Sequence, residues 1–248
     1  MITSVDSWCY VFGIVPAGAP VPSSDDEGPA SGLRLVEVGK VAALVGSTAA
    51  DRGLGRAADL LAHDRVLAEV LATGTPVLPM RFGAVVTDET AVQQELLSAH
   101  HDHFVEVLES LRGRVQYTVN VRYEQDTVLR QVLDEHPEIA RLREADQQTE
   151  TRAGFERRLR LGELVVRALE RLRPTDAAAV LEELGDELDF CARHPTSPDE
   201  VLDAAFLVET AHAADFEDRV EEMGRRNAGR LRVRLVGPSP AYDFVEDV

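Results

Sequence analysis

Histidine is the residue type in this sequence with the clearest potential for chemistry. His100 and His103 lie one helical turn apart, with His101 between them, so one helix face could present two imidazoles to a metal ion. No cysteine is nearby, and the neighbouring carboxylates of Asp102 and Glu106 are typical of a solvated helix face. Two interpretations therefore stay open: an ordinary surface or half-buried histidine set, or a metal site.

His63 stands apart from that cluster, at the edge of an apolar helical stripe. In such a position a histidine is expected to bond a backbone carbonyl and not to ionise for catalysis. The alternative function is a metal- or small-molecule-dependent enzyme or binding protein that uses His63, His100 and His103.

The sequence does not match the other catalytic or cofactor-binding motifs that we considered. Gly53-x-Gly55-x-x-Ala58 fits a loose dinucleotide fingerprint, but several residues separate it from a strand that itself belongs to a hairpin. Lys40 lacks the earlier glycine of a phosphate-binding loop, and no Gly-x-Ser-x-Gly elbow occurs. The sequence predicts no catalytic residue, no metal and no cofactor.

The composition of the chain limits the classes of partner that it can bind. The 248 residues carry 26 basic and 44 acidic side chains, a formal charge of −18, which argues against nucleic acid and anionic membranes as partners.

Cys9 and Cys191 lie in apolar, strand-like runs, which favours buried thiols in a reducing compartment, with one long-range bridge as the alternative. No apolar run approaches the ~18 residues of a membrane span. A cytoplasmic protein is predicted.

The elements that must position these residues begin with a mixed-sheet α+β domain over residues 1–124. Its predicted elements are a strand at Trp8–Val15, a hairpin turning at Gly39-Lys40, a helix with Leu60, Leu67, Val70 and Leu71 inward, a helix from Thr90 to Gly113, and an alternating strand at Val115–Tyr123.

A helical connector is predicted over residues 125–172, with Pro137 at a helix start and one long helix over Ile139–Leu172. A second α+β domain follows over residues 173–248. Its predicted elements are a short helix at Ala177–Leu184, strands at Glu187–Ala192 and Ala204–Val208, a helix around Phe216, and a last strand in which arginines 230, 232 and 234 alternate with aliphatic residues.

The segment Pro76–Gly83 does not follow helix or strand periodicity. Pro76 can open a strand, and Pro79 closes it or places it at a sheet edge, since proline supplies no donor. Local physics alone predicts a short strand and a turn at Gly83.

Four stretches together give the sequence a resemblance to the gas vesicle protein F/L family. They are Trp8–Pro16, Pro76–Gly83, the Phe206-Leu207-Val208 strand with the helix of Phe216, and Gly237–Phe244. Two positions depart from the family pattern: Ala84-Val85 stands where a threonine-containing continuation is usual, and Ala241 where a second proline is frequent.

The resemblance implies a non-enzymatic accessory protein of gas vesicle formation, with two α+β domains, the C-terminal one ferredoxin-like. It implies binding to the small hydrophobic shell protein, in a chaperone-like or nucleating role, and possible contact with other gas vesicle accessory proteins. We expect the partner-binding residues to be Leu78, Pro79, Met80, Arg81, Phe82 and Gly83, because they form an irregular, partly apolar segment at an expected strand edge.

Overall fold

The chain folds into two compact units. A computed structural model describes residues 7–23, 31–49, 55–146, 152–185 and 188–245, so Gly53 of the loose dinucleotide pattern lies outside the described residues. The first unit takes in the described residues of Met1–Gln116, Glu209–Ala211 and Pro238–Val248, and the second those of Tyr117–Val208 and His212–Gly237.

The first unit is built on a five-stranded sheet. Its strands are β1 (Ser7–Pro16), β2 (Arg34–Val38), β3 (Val41–Ala49), β4 (Leu78–Pro79) and β5 (Val85–Val86). The order is β2-β3-β1-β4, with β5 also on β1. β1 pairs antiparallel with β3, β4 and β5, and β2 pairs antiparallel with β3. The predicted mixed sheet is therefore antiparallel, while the predicted α+β class is confirmed.

Helices cover both faces of this sheet. Helix α1 (Ala57–Ala72) packs Val66, Leu67 and Val70 on the face that holds Tyr10 and Phe12. The opposite face, with Cys9 and Val11, is covered by α2 (Glu89–Ala91), a π-helix (Val92–Ser98) and α3 (His101–Ser110). β1 is consequently buried on both sides, as its apolar sequence predicted.

Two details of these helices differ from the predictions. Leu60, placed in the inward stripe of α1, is 45% exposed, while His63 takes the buried position. The helix predicted from Thr90 to Gly113 is interrupted at Ala99-His100, between the π-helix and α3.

The second sheet consists of β6 (Arg114–Tyr123), β7 (Asp189–Ala192), β8 (Glu200–Glu209) and β9 (Leu231–Ser239) in the order β7-β8-β6-β9. Helices α4 (Gln125–Glu135), α5 (Pro137–Asp146) and α6 (Arg152–Leu184) connect β6 to β7, and α7 (Ala213–Arg226) connects β8 to β9. This βαββαβ sequence, with the fourth strand beside the first, has ferredoxin-like connectivity.

Two elements depart from the domain limits predicted at 124 and 172. β6 was assigned to the first sheet but joins the second, because alternation identifies a strand without identifying its partner. α6 runs through residue 172 and past Pro174 to Leu184. Packing outweighs the cost of an interior proline there, since Ala168, Val180 and Leu184 are buried.

The single long helix predicted over Ile139–Leu172 is also wrong. α5 and α6 are separate helices that contact each other, and the residues between them lie outside those described. Of the two cysteines, both free thiols, Cys9 is buried as predicted and Cys191 is exposed.

Candidate functional site

The segment Pro76–Gly83 lies against the middle of β1. β4 places Leu78 opposite Ile14 and Pro79 opposite Gly13, and the Met80 N–H donates to the Phe12 carbonyl over 2.9 Å. β4 is only two residues long and lies at the end of the sheet order. Proline, which has no backbone N–H to donate, is tolerated in such an edge strand.

The close approach of β4 to β1 depends on a glycine. A Cβ on Gly13 would lie 2.8 Å from the Leu78 carbonyl oxygen and 3.0 Å from Val77 Cγ2. Contacts this short are not tolerated, so residue 13 must lack a side chain for the segment to sit where it does.

A tight turn follows β4. The Ala84 N–H donates to the Arg81 carbonyl over 3.1 Å, and Gly83 has φ +93°, a conformation that favours glycine. The chain then returns to β1, where the Val11 N–H donates to the Ala84 carbonyl over 2.9 Å. The turn is thus fixed to β1 on both sides.

The six residues expected to bind a partner differ in accessibility. Leu78 and Pro79 are buried, Met80 and Phe82 are half-buried, and Arg81 and Gly83 are exposed. Met80 packs toward the core face covered by α3, and Phe82 toward the face covered by α1. The structure therefore brings Arg81, Gly83 and parts of Met80 and Phe82 to the surface, on a base formed by Leu78 and Pro79.

Phe82 belongs to an aromatic group centred on His63, which we call the Tyr–His cluster: Tyr10, Phe12, His63, Phe82 and Tyr242. The His63 ring stacks on Phe12 at 5.4 Å and meets the Phe82 ring edge-on at 5.9 Å. Its Nδ1 lies 2.9 Å from Tyr10 Oη, and its Nε2 lies 3.1 Å from Tyr242 Oη.

The hydrogen bonds around Tyr10 favour one tautomer of His63. Tyr10 Oη accepts the Gly83 N–H over 3.1 Å, which leaves its own proton free to be donated to His63 Nδ1. Nε2 then carries the ring proton and donates to Tyr242 Oη. A neutral imidazole satisfies every bond in this chain.

Burial has the expected effect on these groups. Desolvation lowers the pKa of His63, against a smaller opposing effect of Asp64 and of the Met80 carbonyl. Desolvation likewise raises the pKa of Tyr10 to about 12 and raises the pKa of Tyr242. His63 is 1% exposed, so its imidazole is closed to a dissolved substrate and acts as a structural centre.

The C-terminal stretch that carries Tyr242 is held by Gln116. The Gln116 side chain donates from Nε2 to Asp243 Oδ2 over 2.6 Å and accepts the Asp243 N–H at Oε1 over 3.0 Å. Ser239 Oγ donates to the Gln116 carbonyl over 3.2 Å. These bonds fix the backbone on either side of the tyrosine.

The histidines considered for metal binding have other contacts. The rings of His100 and His103 both pack on Phe104, at 5.8 and 6.0 Å between centroids. His101 Nε2 accepts the Lys40 N–H over 3.3 Å, and its Nδ1 pairs with Asp102. Across the described ranges, no three histidine, cysteine, aspartate or glutamate side chains are grouped so as to hold a metal ion.

Sequence patterns did not point to Gly13, Tyr10, Gln116 or Tyr242 as parts of one site. The bond between His63 and Tyr10 spans 53 residues, and that between His63 and Tyr242 spans 179. No periodicity encodes contacts at such separations. The available signal was the resemblance, since three of its four stretches meet at the Tyr–His cluster.

No helix in the described part of the chain is both long enough and apolar enough to cross a membrane.

The chain is similar in sequence to gas vesicle proteins of several bacteria. Gas vesicle protein F of Streptomyces sp. (strain CB03234) is 34% identical over 243 residues, covering 96% of this chain and 99% of the relative. Gas vesicle protein F of Dolichospermum flosaquae is 24% identical and is covered to 97%.

Two solved structures show the same fold. The gas vesicle protein GvpF from Anabaena sp. PCC7120 superposes with a TM-score of 0.78 at 22% identity, over 98% of this chain and 97% of that one. GvpF from Microcystis aeruginosa gives 0.74 at 20% identity, over 96% and 98%.

The sequence profile of gas vesicle synthesis protein GvpL/GvpF matches residues 8–246, so it takes in all four stretches that carried the resemblance. The chain belongs to the GvpL/GvpF family, which supports a role connected with gas vesicles and interaction with other gas vesicle proteins.

Proposed function

We propose that this protein is a non-enzymatic accessory factor of gas vesicle assembly that binds the small hydrophobic shell protein. It acts in the cytoplasm and at the gas vesicle, keeping shell subunits dispersed or nucleating the growing shell. The binding surface is the turn Met80–Gly83 and the side chains around it.

The observation that carries this proposal is a partly exposed apolar surface on a rigid base. Phe82 is half-buried, and Tyr242 is 37% exposed; both touch the buried His63. Leu60, 45% exposed, lies one helical turn before His63 on α1. Apolar side chains that remain accessible around a fixed turn form a suitable contact surface for a hydrophobic partner protein.

Arg81 adds a polar contact to that surface. A guanidinium is a planar group with several N–H donors, so Arg81 can donate to a carboxylate of the partner or to the carbonyl groups at one of its chain ends. The Gly83 N–H donates to Tyr10, and the Ala84 N–H donates to the Arg81 carbonyl, so the turn is already ordered. Little ordering entropy is therefore lost on binding. The charge of −18 would keep the complex dispersed.

Co-purification tests the proposal. The full chain, tagged, is co-expressed with the shell protein, and in parallel with each other gas vesicle accessory protein. We expect wild type to retain the shell protein and Arg81→Glu to retain at least about tenfold less, equivalent to about 1.4 kcal/mol.

Arg112→Glu is the matched control. Arg112 is also an exposed arginine of the first unit, it pairs with Glu109, and its substitution makes the same change of charge. Thermal unfolding of both variants checks that the fold is intact. Equal retention of shell protein by the two variants would remove the turn from the binding surface, and retention of an accessory protein alone would reassign the partner.

A further inference from the structure

The second unit contains a groove that the shell-protein proposal does not use. It has a volume of about 930 Å³ and lies between α4, α6 and the end of the second sheet. Seven of its lining residues are apolar side chains of two helices: Val128, Leu129 and Leu133 from α4, and Leu161, Val165, Val166 and Leu169 from α6. Five of these seven, Leu129, Leu133, Leu161, Val165 and Val166, are only half-buried, so the groove presents apolar surface to solvent.

The spacing of the wall residues gives the groove a direction. Leu161, Val165 and Leu169 follow one another at four-residue intervals, so they form a stripe of about 12 Å along α6. On α4, Leu129 and Leu133 have the same spacing. Because both stripes line the same groove, they form a trough that a third helix can fill by ridge-and-groove packing.

The size of the trough agrees with that occupant. Two turns of α-helix with side chains measure about 10 Å across and 11 Å long, a volume on the order of 800 Å³. Gly162 lies on the wall, and a Cβ there would meet nothing within 4 Å, so a backbone could approach closely. Leu159, beside Gly162, is 58% exposed and extends the apolar surface beyond the groove.

Charge at the rim identifies the flanks of the occupant. Four arginines line the groove, Arg122, Arg143, Arg158 and Arg232, against three carboxylates, Glu124, Asp126 and Asp199. Arg232 pairs with Glu124 over 3.0 Å, and Arg122 with Asp199 over 3.8 Å. Arg122 also lies 3.5 Å from the buried Glu200. The lining of the groove thus holds one more arginine than carboxylates, in a chain of formal charge −18.

We propose that the groove binds an amphipathic α-helix of a partner protein, apolar on the inserted face and acidic along its flanks. The apolar face fills the trough between α4 and α6, and the carboxylates meet the arginine rim. This docking surface is independent of the turn Met80–Gly83 and would let one molecule hold two partners.

The test uses the full-length protein and two labelled synthetic peptides of about five helical turns. Both carry leucines at helical i, i+3 and i+4 spacing; one has glutamate flanks and the other lysine flanks. In fluorescence anisotropy at physiological salt we expect the glutamate peptide to bind with a micromolar dissociation constant, at least about tenfold more tightly than the lysine peptide.

Variants locate the binding. Gly162→Leu fills the notch from an open helix position, so we expect an intact fold and at least about tenfold weaker binding. Arg143→Glu should weaken the glutamate peptide and strengthen the lysine peptide, whereas Arg81→Glu in the first unit should change neither. A photoreactive group on the peptide should label α4 and α6.

Three results would overturn the proposal: no binding of the glutamate peptide, equal binding of both peptides, or binding unchanged by Gly162→Leu. Sodium decanoate is titrated as well. If decanoate binds in the groove while the peptide does not, the site serves a small anionic amphiphile and the helix proposal fails.

Discussion

At the scale of single residues, the missing side chain of Gly13 decides how closely β4 approaches β1. We expect Gly13→Ala to destabilise the fold by about 1–3 kcal/mol, because its Cβ would meet the Leu78 carbonyl oxygen at 2.8 Å. Gly162→Ala is the matched control: its Cβ meets nothing, and helix propensity predicts a gain of about 0.5–1 kcal/mol. Urea unfolding measures both. Equal effects of the two substitutions would contradict the close-approach argument.

His63 gives a prediction about pH. Burial lowers its pKa below the ordinary value of 6.5, so between the folded-state pKa and 6.5 the unfolded chain binds more protons. The contribution of His63 to the free energy of unfolding is therefore complete above pH 6.5. It falls as the pH drops toward the folded-state pKa, and below that pKa it changes no further.

The contribution of His63 is isolated by comparing wild type with His63→Gln in urea unfolding between pH 5 and 8. Acidic groups contribute equally to both proteins, so we expect wild type to lose more stability on acidification than the variant. Parallel pH profiles would show that the ring is not held neutral in the folded protein.

At the scale of elements, the C-terminal stretch is bonded to the first unit through Gln116 as well as through the contact of Tyr242 with His63. Gln116→Leu removes both side-chain bonds to Asp243, including the one that accepts the Asp243 N–H, at a cost of about 1–3 kcal/mol. Hydrogen exchange at the Asp243 amide should accelerate at least about tenfold. Gln94→Leu, at an exposed position of the same unit, should leave that amide unchanged. An unchanged rate in Gln116→Leu would mean that other contacts hold the stretch.

Elements with a local signal were predicted well. The apolar run at Trp8–Val15, the glycine turn of the β2–β3 hairpin and the alternating arginines of β9 all have the predicted structure. Each of these features is encoded within about ten consecutive residues. The sheet assignment of β6 and the run of α6 through Pro174 could not be predicted in this way, because they depend on packing partners distant in sequence.

For the candidate site, too, sequence predicted the local features and not the long-range contacts. Two prolines and a glycine identified the segment Pro76–Gly83, since they restrict the backbone locally. That Leu78 and Pro79 are buried, and that Phe82 meets His63 and thereby Tyr242, depends on contacts across the whole first unit. Sequence therefore predicted where the irregular segment lies, and the structure was needed to show which of its side chains reach the surface.

At the scale of the whole molecule, charge is organised by internal pairing. The second unit pairs Arg226 with Glu183, Arg230 with Asp176 and Arg232 with Glu124. Arg225, at the end of α7, pairs with Glu222, so these four arginines at and between α7 and β9 are matched by carboxylates within the unit. The surface of the chain keeps a strong excess of acid, which favours dispersion of a complex with an apolar partner.

Site-specific photocrosslinking tests whether the turn Met80–Gly83 contacts the shell protein. A photoreactive amino acid replaces Arg81 in one variant and the exposed residues Glu109 and Glu138 in two others, and each is irradiated during co-expression with the shell protein. We expect a shell-protein adduct from position 81 and none from positions 109 and 138. An adduct from either of those positions, with none from 81, would show that the shell protein binds elsewhere.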